Sequence, residues 1–357
     1  MLTEMLLIAA AAAALSAALV TSMMPLLRRY ALARPNARSS HLLPTPQGAG
    51  LAVLFAAMIA AAAGIAFASS ELSSMREVGI VFAASLLLAA TGAMDDLRPL
   101  GPLAKLVPQI LAVGIVVFLA TPQEARLIPA LPVPLERMLA ILAGLWFVNL
   151  VNFMDGIDWI TVIGCGVPLA ALAVLISLDL PQGEGAGLLA ASLGGALIGF
   201  APFNKPVARV FLGDVGSLPI SLILGYGLYR LALAGHLAAA LILPLYYLWD
   251  SGLTLIGRLA RGEPFWKAHR GHIYQRATDA GWSVTAVVAQ ILILDIGLAL
   301  LALVSVSQGS TLVSAATLAV SVALVAIACK RLTAGPASMT PRAGSASWMR
   351  WFARAKK

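Results

Sequence analysis

Charge is what this sequence has least of. Asp, Glu, Lys and Arg make up 11% of its 357 residues, against about 25% in an ordinary soluble domain. Hydrophobic residues reach 60%, where about 45–50% is usual. A water-soluble domain is excluded, and so is a disordered chain, which needs low hydrophobicity and high charge. Cysteine is nearly missing. Cys165 and Cys329 each sit in an apolar run, without metal spacing and too few for a disulfide framework, so both read as small core residues. Short alternating segments of the barrel-strand kind are also missing. No internal repeat is visible.

What the chain has instead is long uncharged runs, near residues 5–27, 48–70, 78–94, 106–123, 135–154, 159–178, 185–204, 212–229, 235–257, 282–306 and 309–329. Each is long enough for a membrane helix of about 20 residues. The expectation is an all-α polytopic membrane protein with about eleven transmembrane helices. One catalytic domain spans 1–330, and a basic, weakly ordered tail spans 331–357. No Lys or Arg precedes the first run, and Arg28 and Arg29 follow it. It therefore reads as a retained helix that starts outside rather than as a cleaved signal peptide. With the N-terminus periplasmic, the C-terminus is cytoplasmic and twenty of the 24 Lys and Arg fall inside. Four fall outside: Arg76, Arg126, Arg137 and Arg230. That bias satisfies the positive-inside rule. The net charge of +8 is then a signal of topology and of contact with anionic inner-membrane lipids, and it requires no nucleic acid.

The acids carry the chemistry, because a carboxylate near lipid is costly and persists where it faces a polar site or a partner. Asp95 and Asp96 close the third run, Asp155 and Asp158 follow the fifth, and Asp214 opens the eighth. All five converge on the cytoplasmic face. His269, Arg270, His272 and Arg276 join them from the loop after the ninth run. Carboxylates with Arg and His donors are the parts of a site for a divalent cation and phosphate groups. Adjacent Asp95 and Asp96 face different ways on a helix, so one serves the metal or nucleophile and the other a neighbouring cation. Asn149, Asn152 and Gly156 offer amides and a flexible backbone to a base or ribose. In the stretch from Phe211 to Ser217, Gly213 and Gly216 let backbone approach a ligand, and Phe211 offers a ring for stacking.

These residues, taken in order, resemble the polyprenyl-phosphate N-acetylhexosamine-1-phosphate transferases, the superfamily that includes the phospho-MurNAc-pentapeptide translocase. The strings are Pro35-Asn36 with Arg38-Ser39-Ser40-His41, Pro44-Thr45-Pro46-Gln47-Gly48, Asp95-Asp96-Leu97, Asn149 to Asp158, Phe211 to Ser217 and His269 to Arg276. Each is weak alone; the ordered set is specific. The resemblance implies transfer of a sugar-1-phosphate from a UDP-N-acetylhexosamine to undecaprenyl phosphate, releasing UMP with Mg²⁺ (or Mn²⁺) in the bacterial inner membrane.

The resemblance also implies roles. Asp214 matches the metal-binding aspartate, and Asp95 and Asp96 match the catalytic pair. Asn152, Asp155, Asp158 and Phe211 match the nucleotide and sugar site. His269, Arg270, His272 and Arg276 match the phosphate and sugar loop. His41 and Asp250 are secondary candidates, Asp250 pairing with a cation or lining the cleft.

Departures from the family pattern narrow the branch. Tyr274 and Gln275 follow His272 where many relatives carry histidines, which resembles the branch that starts O-antigen and related polysaccharides. Gln47 and Ala49 stand where Arg and Gly are usual, and Trp159 where a Gly is usual. The sugar stays open among GlcNAc, FucNAc and QuiNAc, and so does the oligomeric state, a homodimer included. A proton-coupled transporter using Asp250 and Asp295 is the rival class, although Asp295 reads as the donor or acceptor of an interhelical hydrogen bond. The CDP-alcohol phosphotransferase class is a weaker rival, because Asp155-Gly156-Ile157-Asp158 lacks its following Ala-Arg. A non-catalytic scaffold leaves the acids unexplained.

Overall fold

The computed structural model describes residues 1–33, 44–67, 72–179, 183–263 and 270–336. Thirteen α-helices carry nearly all of the regular structure. They are α1 (Leu2–Tyr30), α2 (Gly50–Phe67), α3 (Leu72–Leu97), α4 (Pro102–Ile115), α5 (Val133–Met154), α6 (Ile160–Asp179), α7 (Glu184–Asn204), α8 (Asp214–Leu233), α9 (Leu237–Ile242), α10 (Leu245–Ala260), α11 (Ile273–Asp279), α12 (Val284–Gln308) and α13 (Thr311–Ala334). The last turn of α4 widens into a π turn at Val116–Ala120. Ends follow local chemistry. The Ser283 side chain accepts the Ala286 N–H to start α12, and Gly309 at φ 58° stops it, as a left-handed C-cap does.

Ten helices among the described residues are long and apolar enough to cross a membrane, and the protein is an all-α, multi-pass membrane protein. The ninth expected run, 235–257, is present as two helices, α9 and α10, interrupted at Leu243-Pro244. Proline has no N–H to donate and clashes with the preceding turn, so a helix breaks there. Helix α13 runs on to Ala334, past the expected domain boundary at residue 330. The tail beyond residue 336, with Trp348, Trp351 and Phe352, lies outside the described residues.

Helices α7 and α8 are the most enclosed. α1 and α6 pack on α7, α3 and α5 on α8, and α12 on α6. α1 and α7 approach closely. A Cβ on Gly195 would lie 2.1 Å from the Ala9 carbonyl oxygen, and one on Gly199 2.1 Å from that of Ala13. Small residues four apart let two backbones touch where lipid supplies no hydrophobic drive between helices.

At the far end of the bundle from the aspartates, three of the four cations expected outside have partners. Arg126 pairs with Glu136. Arg230 Nη1 lies 2.7 Å from Glu77 Oε1. Arg137, fully buried, donates to the carbonyls of Pro122, Gln123 and Ala125 and to the Tyr229 hydroxyl.

One short antiparallel pairing, Leu32–Ala33 with Thr45–Pro46, fixes the proline-rich segment beside the entry to α8. There the Phe211 N–H donates to the Pro46 carbonyl at 2.8 Å.

Candidate functional site

Three helix ends meet at one level: the C-terminus of α3, the C-terminus of α5 and the N-terminus of α8. A helix N-terminus presents unpaired amides and a partial positive charge, and α8 receives a carboxylate from a different helix. Asp96 Oδ1 accepts the Asp214 N–H at 3.0 Å, and Asp96 Oδ2 accepts the Val215 N–H at 3.1 Å. Gly213, at φ 77°, is the turn that allows this. A Cβ there would lie 2.5 Å from Asp96 Oδ2. Gln47 donates its side-chain amide to the Asp96 carbonyl at 3.0 Å.

Asp95 turns the other way, as adjacent helical residues must. Its Oδ1 accepts the Leu100 N–H at 2.6 Å, which closes the α3–α4 loop, and its Oδ2 pairs with Lys105. Lys105 Nζ also lies 3.2 Å from Asp214 Oδ2, so one ammonium joins carboxylates from α3 and α8. Asn152 completes the set. Its amide donates to Asp214 Oδ1 at 2.9 Å and to the Ser217 hydroxyl at 2.8 Å. The structure thus brings Asp95, Asp96, Asp214 and Asn152 together, as expected, and adds Lys105 and Ser217.

Lys105 escaped the sequence reading, which counted it only as a topology charge. Its signal was a lone ammonium in the first turn of the otherwise apolar α4, a place where an unpaired charge is costly.

The nucleotide candidates are more spread. Asp155, half-buried at the C-cap of α5, accepts the Thr161 hydroxyl at 2.6 Å. Burial raises its carboxyl to about 7, the carboxylates of Asp214, Asp96 and Asp158 add to the rise, and the Thr161 bond opposes it. Asp158 is buried and its Oδ2 accepts the Ala208 N–H at 3.0 Å, which ties it to the loop before Phe211. Phe211 is half-buried and in register with Gln47. Trp159 stands at φ 66°, a left-handed conformation that favours glycine. Its backbone N–H reaches Asn204 Oδ1 at 2.8 Å and its indole N–H the Ala201 carbonyl at 2.7 Å. The indole is anchored away on α7.

Asp250 is fully buried and repeats the Asp96 device. Its Oδ1 accepts the Ile273 N–H at 2.8 Å and lies 3.2 Å from His272 Nδ1, and its Oδ2 accepts the Tyr274 N–H at 3.3 Å. It caps α11 and holds a buried His272. The Tyr274 hydroxyl donates to the Phe153 carbonyl at 3.2 Å, joining α11 to the last turn of α5. Burial pushes that hydroxyl well above the usual phenol range.

Arg270 pairs with Asp279 at 3.1 Å, and Arg276 faces a crevice against α13. Asp295 makes no hydrogen bond among the described residues, so the expected interhelical bond is corrected. His41 and His269 lie outside the described residues. The transporter reading is not favoured, since Asp250 is committed to the α11 amides and His272.

Beyond the aspartates, along α4, α5 and α8, lies an apolar cavity of about 340 Å³ lined by Val113, Phe147, Val148, Ser221 and Tyr226. Val148 and Ser221 stand four residues from Asn152 and Ser217, about one helical turn.

A multi-pass membrane protein with a carboxylate, ammonium and amide cluster at its helix ends, beside an apolar cavity, is the class this geometry defines. Residues 78–232 match glycosyl transferase family 4, a span that runs from α3 through α8 and so holds the whole cluster. The chain is 30% identical over 221 residues to the decaprenyl-phosphate N-acetylglucosaminephosphotransferase of Mycolicibacterium smegmatis, covering 56% of this chain and 53% of that protein. It is 29% identical over 316 residues to the phospho-N-acetylmuramoyl-pentapeptide-transferase of a Picosynechococcus species, covering 79% and 81%. A Bacillus subtilis protein named as a probable undecaprenyl-phosphate N-acetylglucosaminyl 1-phosphate transferase is 25% identical over 283 residues, covering 74% and 75%. The match spans about half the length of the Mycolicibacterium smegmatis and Mycobacterium tuberculosis relatives. Over these stretches the chain is similar to glycosyl transferase family 4 and to polyprenyl-phosphate hexosamine-1-phosphate transferases.

Proposed function

We propose that this chain transfers N-acetylhexosamine-1-phosphate from a UDP-sugar to undecaprenyl phosphate and releases UMP, at the cytoplasmic face of a bacterial inner membrane. The observation that carries the reading is the joining of Asp95, Lys105, Asp214 and Asn152 one turn from an apolar cavity. A water-soluble diphosphate and a lipid phosphate need such a place to meet. The names of the relatives, which act on decaprenyl or undecaprenyl phosphate and N-acetylglucosamine phosphate, point the same way. The cytoplasmic orientation is supported by Arg28, Arg29, Lys205, Arg209, Arg258 and Arg261, which stand at or just beyond helix ends, as the positive-inside rule asks.

The residues fit a hard divalent cation. Among the described residues no three His, Cys, Asp or Glu side chains converge as a cage. Mg²⁺ seldom uses one; it takes one or two carboxylates and leaves other positions to water and substrate phosphates. Asp214 and Asp95 are the residues that would hold it, and when bound it would neutralise charge on the diphosphate.

The chain's own groups do the rest. Lys105 places a cation where the phosphate charge shifts. Asn152 and Ser217 fix the Asp214 carboxylate, and Asp96 fixes the backbone beneath it. An oxygen of the lipid phosphate attacks the β-phosphorus of the UDP-sugar, and the bond from that phosphorus to the UMP oxygen breaks. The attacking oxygen is already anionic near neutral pH, so no base is needed. Asp155, Asp158 and Phe211 form the nucleotide side. Tyr274 and Gln275 after His272 support the O-antigen-initiating branch, with FucNAc or QuiNAc beside GlcNAc as donors.

The test is UMP release by purified protein given undecaprenyl phosphate, Mg²⁺ and a panel of UDP-N-acetylhexosamines, with and without EDTA. Release that requires lipid and metal supports the reading and names the sugar. No release from folded protein with any donor removes it.

A further inference from the structure

A second cavity, of about 560 Å³, opens between α10, α11 and α13. Its deep wall is apolar, from Trp249, Leu253 and Ala326, and its rim carries Arg258, Arg276 and Lys330. The rim cations lie at one level, because Arg258 is in the last turn of α10 and Lys330 is near the end of α13. Trp249 lies nine residues before Arg258, about 13 Å deeper along the helix. Of the acids nearby among the described residues, Asp250 is held by the α11 amides, and Glu263 pairs with Arg258 at 3.1 Å and with Arg261 at 2.5 Å. Arg276 and Lys330 pair with no carboxylate among the described residues.

This crevice does not open on the aspartates. Tyr274 and Arg276 are two residues apart on α11, about 200° around the helix. Tyr274 bonds to α5, whereas Arg276 faces α13. α10 packs on α5 and on α13, so α10 and α11 form a wall with the reaction site on one side and the crevice on the other. A lipid phosphate that must react at Asp214 gains nothing from cations behind that wall.

We propose that the crevice binds one anionic phospholipid, its phosphate on Arg276 and Lys330 at the rim and its acyl chains against Trp249, Leu253 and Ala326. Cations above an apolar slot at the membrane surface match a headgroup above its chains. The lipid wedges α10 and α11 against α13 and so steadies the Asp250–His272 joint, which the crevice-lining Thr254 also contacts. The assignment is independent of the catalytic reading.

The experiment is native mass spectrometry of the full chain in detergent, with phosphatidylglycerol and phosphatidylcholine at equal concentration. The wild type retains one phosphatidylglycerol in preference to phosphatidylcholine. The Arg276→Gln/Lys330→Gln variant loses that preference, by about fivefold for each cation removed. Lys330→Gln alone, at an exposed helix end, gives the same direction if the double variant does not fold. Equal retention of the two lipids by the wild type overturns the proposal, as does an unchanged preference in both variants. Displacement of phosphatidylglycerol one for one by undecaprenyl phosphate also overturns it and gives the crevice to the acceptor.

Discussion

The carboxylate of Asp96 accepts the backbone N–H of Asp214 at 3.0 Å, so the residue proposed to hold the metal is placed by a residue 118 positions earlier in the chain. The side chain of Asp214 is left to face Lys105 and Asn152. One aspartate thus sets backbone, and the other offers oxygen atoms to the site.

That division separates two variants. Asp214→Asn abolishes UMP release and leaves the thermal midpoint in detergent close to wild type. Asp96→Ala abolishes release and also costs about 1–3 kcal/mol, the range for a lost cap and a lost bond to a charged group. Thermal unfolding run beside the activity assay checks this. An Asp96→Ala protein of wild-type stability would break the assignment.

Lys105→Met leaves Asp95 and Asp214 facing each other without their shared ammonium. The expected result is a fall in kcat of about a hundredfold or more, the scale of losing one preorganised charge contact. Lys105→Arg keeps part of the rate. Steady-state kinetics on the two variants decides, and a Lys105→Met enzyme with normal kcat removes Lys105 from the mechanism.

The Asp155 carboxyl, raised from 3.8 to about 7 by burial first and neighbouring carboxylates second, gives stability a pH dependence of known sign. Between those values the folded chain keeps a proton that the unfolded chain has lost. Stability is therefore greatest at the acid end, falls as pH rises toward 7, and levels off above it. Asp155→Asn removes this contribution while keeping an acceptor for the Thr161 hydroxyl. The variant should gain on the wild type in thermal midpoint between pH 5 and pH 8; a constant difference across that range would contradict the shift.

At Trp159, with φ 66°, two substitutions isolate the backbone. Trp159→Ala and Trp159→Gly both lose the indole bond to Ala201, but only glycine occupies the left-handed region without strain. The glycine variant should be the more stable of the two by about 1 kcal/mol. Equal midpoints would mean that the turn relaxes out of that conformation.

Much of the fold was legible because lipid allows few solutions: a long uncharged run has to satisfy its backbone internally, and a helix does so. What hydropathy did not show in 235–257 was the interruption at Leu243-Pro244, since the apolar run continues through it. The aspartates were legible because carboxylates at helix ends are costly without a task. Their division of labour was not. Which of Asp95 and Asp96 reaches α8 depends on how α3 is rotated, and only the close approach at Gly213 sets that. Lys105 and Arg276 were missed or differently aimed for a related reason. A sequence shows that a cation is present, but the packing of α4 on α3 and of α11 on α13 decides which carboxylate or cavity it meets.

The arginines at the end opposite the aspartates bear on how the protein enters the membrane. On the proposed topology the segment from Glu124 to Arg137 must be carried through the insertion machinery, and it does so with as many acids as bases: Glu124 and Glu136 beside Arg126 and Arg137. Two of those four already pair with each other within that one hairpin. Arg230 meets Glu77 from a separate helix, a bond available only after α8 has arrived. Assembly of the outer face therefore proceeds in an order, with the α4–α5 hairpin neutral from its synthesis and the α3–α8 contact closing later.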